Sequence, residues 1–220
     1  MKKNYVYFGV LFFIATFIFS CSSSDDNIPP NDDSGNGILS FSMLTANVFN
    51  FPNRGMGSKE IEFGSLPCSN ISPSYIRLAL KDSNGNCYVG NNATGFFELQ
   101  LDPNGIDSDE DGEMDLWNNL EEKNLKLPVG IYTLEYFAVI DKPGQSSKII
   151  YMSPRKNGED DPMQFYNLVT ASLPITINIQ EGVKYNLPVE VLCFQKDLAF
   201  DFGFMFIEHE DPNPFYLCSK

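Results

Sequence analysis

Short runs in which apolar and polar residues alternate are the dominant pattern of this sequence. Across residues 75–81, every second position from Ile76 to Leu80 is apolar. Because successive side chains of a strand point to opposite faces, this spacing predicts a strand with one buried face. Asn84-Gly85 follows as a typical hairpin turn, so residues 87–89 are predicted to form the returning strand.

The same alternation recurs along the rest of the chain. Residues 131–141 and 148–152 flank Lys142-Pro143-Gly144, which predicts a second hairpin. Further strands are predicted near residues 38–46, 59–63, 96–101, 175–180, 184–194 and 199–207. Only residues 114–123, after an acidic loop, could form a short helix. About ten strands with so little helix indicate an all-β fold, an antiparallel β-sandwich of immunoglobulin-like or prealbumin-like type, as one domain or two small sub-domains.

The first 20 residues have the three-part plan of a removable signal peptide. Two lysines precede the apolar residues 5–19, and Ser20 stands directly before Cys21. The segment Ile18-Phe19-Ser20-Cys21 resembles a bacterial lipobox, although Phe19 and Ile18 depart from its commonest residues. This resemblance implies that Cys21 becomes the lipid-bearing N-terminus, which attaches the protein to a membrane. The alternative is an ordinary secretory signal in which Cys21 has no role.

A polar segment follows Cys21 and separates it from the folded part. Ser22-Ser23-Ser24-Asp25-Asp26 resembles the acidic tract that directs Bacteroidetes lipoproteins to the outer face of the outer membrane. The resemblance implies surface exposure rather than a periplasmic location. Residues 21–37 contain almost nothing apolar to bury, so we expect a lipidated cysteine and a disordered tether there. The β-sandwich domain is then predicted to cover residues 38–220.

The charge of the chain narrows the class of partner. The sequence has 15 basic and 29 acidic residues, and removing the signal peptide takes away two lysines, which leaves 13 − 29 = −16. Phosphate binding depends on lysine and arginine, so nucleic acid is excluded as a partner. Divalent cations are a better match than nucleic acid for a protein with this negative charge.

One acidic loop, residues 102–119, carries the pattern of a calcium site. Asp107, Asp109 and Asp111 alternate, Gly112 follows, and Asp115 comes four residues after Asp111. Calcium takes six to eight oxygen ligands, which EF-hand loops supply from positions 1, 3, 5, 7, 9 and 12, with glycine at 6. The predicted ligands are Asp107, Asp109, Asp111, Glu113, Asp115 and Asn118. Glu113, at position 7, would contribute its backbone carbonyl.

The spacing also resembles a thrombospondin type 3 loop, in which Asn and Asp share the later ligand positions. Asn118 departs from the EF-hand pattern, which has a bidentate Glu there, so we expect weaker binding of one structural Ca²⁺ ion. The alternative is a solvated acidic loop between two strands, because Asp, Asn, Gly and Ser are common loop residues.

Four cysteines remain once Cys21 is set aside. Cys68, Cys87, Cys193 and Cys218 are an even number, as expected for disulfides in an oxidising compartment. Of the three connectivities that four cysteines allow, we predict Cys68 with Cys87 and Cys193 with Cys218, because each pair lies close in sequence. Four buried free thiols are the alternative.

A second resemblance concerns the fold. The segment Leu127-Pro128-Val129-Gly130-Ile131-Tyr132-Thr133-Leu134-Glu135 resembles the start of a strand in prealbumin-like and Cna-B-type sandwich domains, which Bacteroidetes fimbrial and surface proteins also use. Tyr132 and Leu134 fall on one face of that strand, and we expect both in the core.

The remaining candidate chemistry does not favour catalysis. His209 is the only histidine, which excludes a multi-histidine zinc site. Phe200, Phe202, Phe204 and Phe206 alternate, which we interpret as core packing rather than a sugar-stacking surface. We therefore expect a surface lipoprotein that acts as a binding or adhesion-like assembly module, and not an enzyme. A fimbria-like subunit or anchor and a glycan-binding component of a carbohydrate-uptake system stay open as alternatives.

Overall fold

The computed structural model describes residues 35–46, 71–88, 90, 94–110, 112, 114–156 and 165–204 of the chain. All of them belong to the unit formed by residues 33–220. The predicted signal peptide, Cys21, nearly all of the tether and the strand near residues 59–63 lie outside the described residues.

Ten strands and three short 3₁₀ helices make up the described part of the chain. The strands are β1 (Asn36–Thr45), β2 (Tyr75–Asp82), β3 (Cys87–Tyr88), β4 (Phe97–Gln100), β5 (Leu116–Asn118), β6 (Leu125–Pro128), β7 (Gly130–Ile140), β8 (Ile149–Met152), β9 (Ile175–Ile179) and β10 (Lys184–Cys193). The 3₁₀ helices cover Glu121–Lys123, Phe165–Leu168 and Lys196–Leu198. The prediction of an all-β fold is confirmed.

The strands form a mixed sheet with the order β3-β2-β7-β8-β10-β1-β5, in which β4 pairs with β2, β6 with β1 and β9 with β7. The pair β1 and β10 is parallel, from Ile38 opposite Lys184 to Thr45 opposite Val191. The prediction of an antiparallel fold is therefore wrong for this pair, whereas the other strand pairs of the described residues are antiparallel. Hairpins force neighbouring strands to be antiparallel, but β1 and β10 come from distant parts of the sequence, and no short turn fixes their direction.

Strand β7 lies at the centre of the core. Every residue at positions 134–140 is buried, and β7 pairs with β2, β8 and β9. Tyr136 contacts the ring of Phe96 at 4.9 Å between centroids, and Phe137 contacts Phe41 at 5.9 Å. Because consecutive residues of a strand point to opposite faces, β7 has aromatic neighbours on both faces.

The segment that resembles the strand start of prealbumin-like domains is predicted to place one aromatic and one aliphatic residue in the core. Tyr132 and Leu134 are both buried. The hydroxyl of Tyr132 donates a hydrogen bond to the carbonyl of Pro128 at 3.1 Å. Burial raises the pKa of the Tyr132 hydroxyl, and the neighbouring Tyr88 and Asp82 raise it further.

The predicted hairpin turn after β2 is also present. Gly85 has φ of 87°, and the Asp82 carboxylate accepts hydrogen bonds from the backbone N–H groups of Asn84 and Asn86 at 2.9 and 2.8 Å. The bond from Asn86 is the largest cause that lowers the pKa of Asp82. The left-handed backbone that this turn requires is readily adopted by glycine.

Two predicted elements differ from the structure. Residues 114–123 do not form the predicted helix, because Leu116–Asn118 pairs with β1 as strand β5, and only Glu121–Lys123 is a 3₁₀ helix. Residues 199–204 do not form the predicted strand, since the chain turns after Lys196–Leu198 and Phe202 N–H bonds to the carbonyl of Leu198.

The aromatic stripe is accordingly interrupted. Phe202 and Phe204 are buried, as a core role requires, whereas Phe200 is 54% exposed. Phe206 lies outside the described residues. An alternating pattern keeps its side chains on one face only in an extended backbone, and the turn removes that condition.

Candidate metal centre

The acidic loop lies at the tip of a hairpin that continues from β4 into β5. Ile106 and Leu116 exchange two backbone hydrogen bonds, of 2.8 and 3.1 Å, and so close the loop of residues 107–115. Below them, Leu101 pairs with Asn119 in a further antiparallel bridge. The loop therefore starts and ends on a paired backbone.

A close approach between Gly105 and Trp117 fixes the base of this loop. A Cβ atom on Gly105 would lie 2.8 Å from two indole atoms of Trp117 and from the Cβ of Met114. Real side chains do not pack that closely, so only glycine fits without displacing the indole. Trp117 is buried.

Replacing Gly105 with Ala should lower the free energy of unfolding by about 1–2 kcal/mol, because overpacking forces the indole to shift. Thermal unfolding measures the loss, and the emission of Trp117 reports the displaced ring. Gly130→Ala is the matched control, since its Cβ would meet nothing closer than 3.7 Å. Equal behaviour of the two variants would contradict this packing.

Asp107 opens the loop and bonds back across it. Its Oδ2 accepts a hydrogen bond from the backbone N–H of Gly112 at 2.9 Å. Two left-handed residues allow this turn, Gly112 with φ of 94° and Glu110 with φ of 63°. Asp107 is half-buried and Asp109 is exposed. The first half of the loop therefore turns around the Asp107 carboxylate, which accepts the hydrogen bond across it.

Asp115 closes the loop and is buried. Its carboxylate accepts hydrogen bonds from the backbone N–H of Ser108 at 2.8 Å and from the Ser108 hydroxyl at 2.5 Å. Its carbonyl accepts a bond from the N–H of Thr45 at 2.8 Å, which ties the loop to the end of β1. A carboxylate has about four lone-pair sites, so Asp115 keeps capacity for a cation.

Asn118, the predicted last ligand, lies elsewhere. Its Oδ1 accepts a hydrogen bond from the hydroxyl of Ser42 at 2.7 Å, on the neighbouring strand β1. This hydrogen bond holds the Asn118 side chain against β1. Sequence spacing could not show this, because residues 116–118 become a strand only by pairing with β1.

The described part of the loop does not by itself form a complete cation site. Among the described residues there is no cluster of three or more His, Cys, Asp or Glu side chains that could hold a metal. Asp111 and Glu113 lie outside the described residues. Asp102, just upstream, accepts bonds from the backbone and side chain of Asn104, both at 2.9 Å.

Cys87 and Cys193 each take part in a disulfide bond. They do not bond each other, because Cys87 lies at the level of Thr133 on β7 and Cys193 at the level of Val139. Six residues along a strand separate these levels by about 20 Å, well beyond a disulfide. Cys21, Cys68 and Cys218 lie outside the described residues. The pairing of Cys68 with Cys87 and of Cys193 with Cys218 stays a prediction.

Comparisons with known proteins add little to this geometry. No protein-family model matches the chain, and no curated protein matches it. A leucine-rich repeat protein from Bacteroides thetaiotaomicron VPI-5482, solved at 2.80 Å, is similar with a TM-score of 0.35 and 11% identity. The match covers 75% of this chain and 15% of that protein. A similarity this weak establishes neither the fold nor the function of this chain. No helix among the described residues is long and apolar enough to cross a membrane.

Proposed function

We propose that this protein is a lipoprotein of the outer cell surface that acts as a binding or assembly module, with one structural Ca²⁺ ion in the loop of residues 107–115. The leader and Cys21 support the lipid anchor. Cys87 and Cys193, both in disulfides, support an oxidising compartment. The observation that carries the calcium site is the closed loop itself.

The loop favours a cation for an electrostatic reason. Asp107, Asp109, Asp111 and Asp115 lie within nine residues, so their carboxylates repel one another. The bonds from Gly112 to Asp107 and from Ser108 to Asp115 hold these two carboxylates within the closed loop. A divalent cation offsets this repulsion and takes the oxygen ligands that the loop offers.

The proposal includes a β-sandwich as the supporting architecture. Strand β10 pairs with β1 over most of its length and with β8 only at Leu192 and Cys193. This pattern supports two groups of strands, one around β1 and one around β7. Phe41 of β1 also contacts Phe137 of β7, although these two strands do not pair. Such a contact is expected where two sheets pack face to face.

Calcium should raise the melting temperature of the protein. At a hundredfold excess over the dissociation constant, a site confined to the folded state contributes about 2.7 kcal/mol. For a domain of this size, that corresponds to about 5–10 °C. Differential scanning calorimetry with calcium, with magnesium and with chelator measures the shift, and titration calorimetry gives the stoichiometry.

Asp109→Asn should remove most of this calcium-dependent shift, because it deletes a ligand charge from an exposed position. Asp197→Asn, at an exposed aspartate outside the loop on the 3₁₀ helix Lys196–Leu198, is the matched control and should keep the shift. An unchanged melting temperature with calcium and chelator, together with no heat on titration, would refute the site.

The two alternative functions predict surfaces that can be compared with the described residues. A glycan-binding face beside the loop would need exposed aromatic rings, but Trp117 is only 8% exposed. Assembly by strand addition would need an open edge. Among the described residues, the part of β10 from Lys184 to Val191 pairs with β1 on one side and with no strand on the other. The register turns the nitrogen of Pro188 toward that outer side, where proline cannot donate a hydrogen bond.

A further inference from the structure

Three exposed aliphatic side chains lie on segments that meet at one end of the fold. Val129, Ile131 and Val183 are 51%, 52% and 37% exposed. The N–H of Val129 donates to the carbonyl of Gly35 at 3.0 Å, and the carbonyl of Val183 accepts from the N–H of Ile38 at 2.9 Å. We call the segments around these three residues and Gly35 the tether end.

The tether end is where the chain from Cys21 reaches the fold. Gly35 is 35 − 21 = 14 residues after Cys21. Even a fully extended chain of that length spans no more than about 50 Å. A lipid on Cys21 would therefore hold the tether end within about 50 Å of the bilayer, at a high effective concentration.

The acidic loop lies at the other end of the same strand. Strand β1 runs from Asn36, beside the tether end, to Thr45, whose N–H bonds to the carbonyl of Asp115. A strand of ten residues is about 30 Å long. The fold thus separates the tether end from its most acidic segment.

The charges near the tether end are balanced, although the chain has a net charge of −14. Lys126 and Lys184 lie on either side of Ile38 in the sheet. The Glu121 carboxylate pairs with Lys184 at 2.6 Å, and Glu181 accepts a bond from the N–H of Gly35. Lysine side chains can extend along apolar surface and leave their charge at a polar boundary.

We infer that the tether end rests on the lipid bilayer, with Val129, Ile131 and Val183 in the headgroup region and the acidic loop about 30 Å away from the membrane. This inference rests on the proposed lipid anchor at Cys21. Because the anchor supplies the attachment, a small apolar patch is enough to orient the domain. The calcium loop is then presented outward, toward whatever the module binds.

Tryptophan quenching on vesicles tests the orientation. The chain has one tryptophan, so Trp117→Phe provides a background in which a new tryptophan is the only one. Ile131→Trp and Val129→Trp place it at the tether end, and Met114→Trp places it at a 55% exposed position beside the loop. The full lipidated chain is reconstituted into vesicles of phosphatidylethanolamine and phosphatidylglycerol with brominated acyl chains.

Emission from Ile131→Trp should fall about twofold on brominated vesicles, because a side chain about 5–10 Å deep lies within reach of the bromine atoms. Emission from Met114→Trp should not change. Val129→Trp repeats the measurement at a second position, and the melting temperature of each variant shows that it is folded.

Each outcome decides between the anchor and the orientation. Lipidated, vesicle-bound protein with unquenched Ile131→Trp and Val129→Trp would overturn the inference and leave the anchor standing. Equal quenching of Met114→Trp would overturn it too. A mass that shows no lipid on Cys21 would overturn both. If self-association in solution, without vesicles, is enough to shift the Ile131→Trp emission, the tether end contacts a second copy of the chain. That result would overturn the inference.

Discussion

Arg77→Met should destabilise the fold by about 3–5 kcal/mol, because it leaves a buried carboxylate without its cation. The Arg77 and Glu98 side chains are 5% and 7% exposed, and their charged atoms lie 2.6 Å apart. Arg77 also donates to the carbonyl of Gly144 at 2.7 Å, and the N–H of Gly144 donates to Glu98. The pair therefore links β2, β4 and the turn that follows β7.

Two further variants separate the pair from its surroundings. The double variant Arg77→Met with Glu98→Leu should recover most of the lost stability, since apolar side chains of similar size remove both buried charges. Glu121→Gln breaks the exposed pair with Lys184 and should cost less than about 1 kcal/mol. Urea unfolding of all three variants measures these differences. A double variant as unstable as Arg77→Met would show that the cost is lost packing and not an unpaired charge.

The aromatic surroundings of Arg77 explain why the pair tolerates burial. Its guanidinium lies 5.7 Å from the centre of the Phe96 ring, a favourable distance for a cation over an aromatic face. Burial raises the pKa of the neighbouring Tyr136 hydroxyl far above its usual range, while the Arg77 charge opposes that rise. Tyr136 therefore stays protonated beside Arg77 throughout the physiological range.

Sequence pattern predicts the long strands of this fold well. Alternation along β2 and β7 follows from burial of one face or both, and Asn84-Gly85 has only a few conformations available to it. The same reasoning misses β5, because Leu116–Asn118 is too short to show a period and becomes a strand only by pairing with β1. Pairing between distant strands is a tertiary effect that local propensity does not contain.

The candidate site likewise has some features that the sequence indicates and others that it does not. The spacing of Asp107, Gly112 and Asp115 predicts a calcium site, and the structure places all three residues in one loop with hydrogen bonds across it. Ser108, which bonds to Asp115 twice, carries no sequence signal of that role, because serine is common in every loop. Asn118 bonds to Ser42 because strand pairing, rather than loop spacing, decides where its side chain points.

Asn119 occupies a gap that neither neighbouring strand fills. Along one edge of β1, β6 pairs with residues 36–39 and β5 with residues 42–44, which leaves Phe41 between them. The backbone N–H of Asn119 donates to the Phe41 carbonyl at 3.0 Å, and its Oδ1 accepts from the Phe41 N–H at 2.6 Å. A side chain here completes the hydrogen bonding that a strand would supply.

Asn119→Ala should therefore cost about 3 kcal/mol, since it leaves the buried Phe41 N–H without an acceptor. It also removes the bonds from the Asn119 amide to the Leu120 carbonyl and the Asn124 side chain, of 2.8 and 2.9 Å. Asn119→Asp should be destabilised as well, because it keeps the acceptor but loses both donors. Urea unfolding measures both losses.

Asn178→Ala, at an exposed position on β9, is the matched control and should stay within about 0.5 kcal/mol of the parent. Because Asn119 also pairs with Leu101 below the acidic loop, Asn119→Ala should loosen the hairpin that carries residues 107–115. Hydrogen exchange at the N–H groups of Phe41 and Ile106 distinguishes this local loosening from global unfolding. Protection of Phe41 as strong in Asn119→Ala as in Asn178→Ala would mean that another group satisfies this edge of β1.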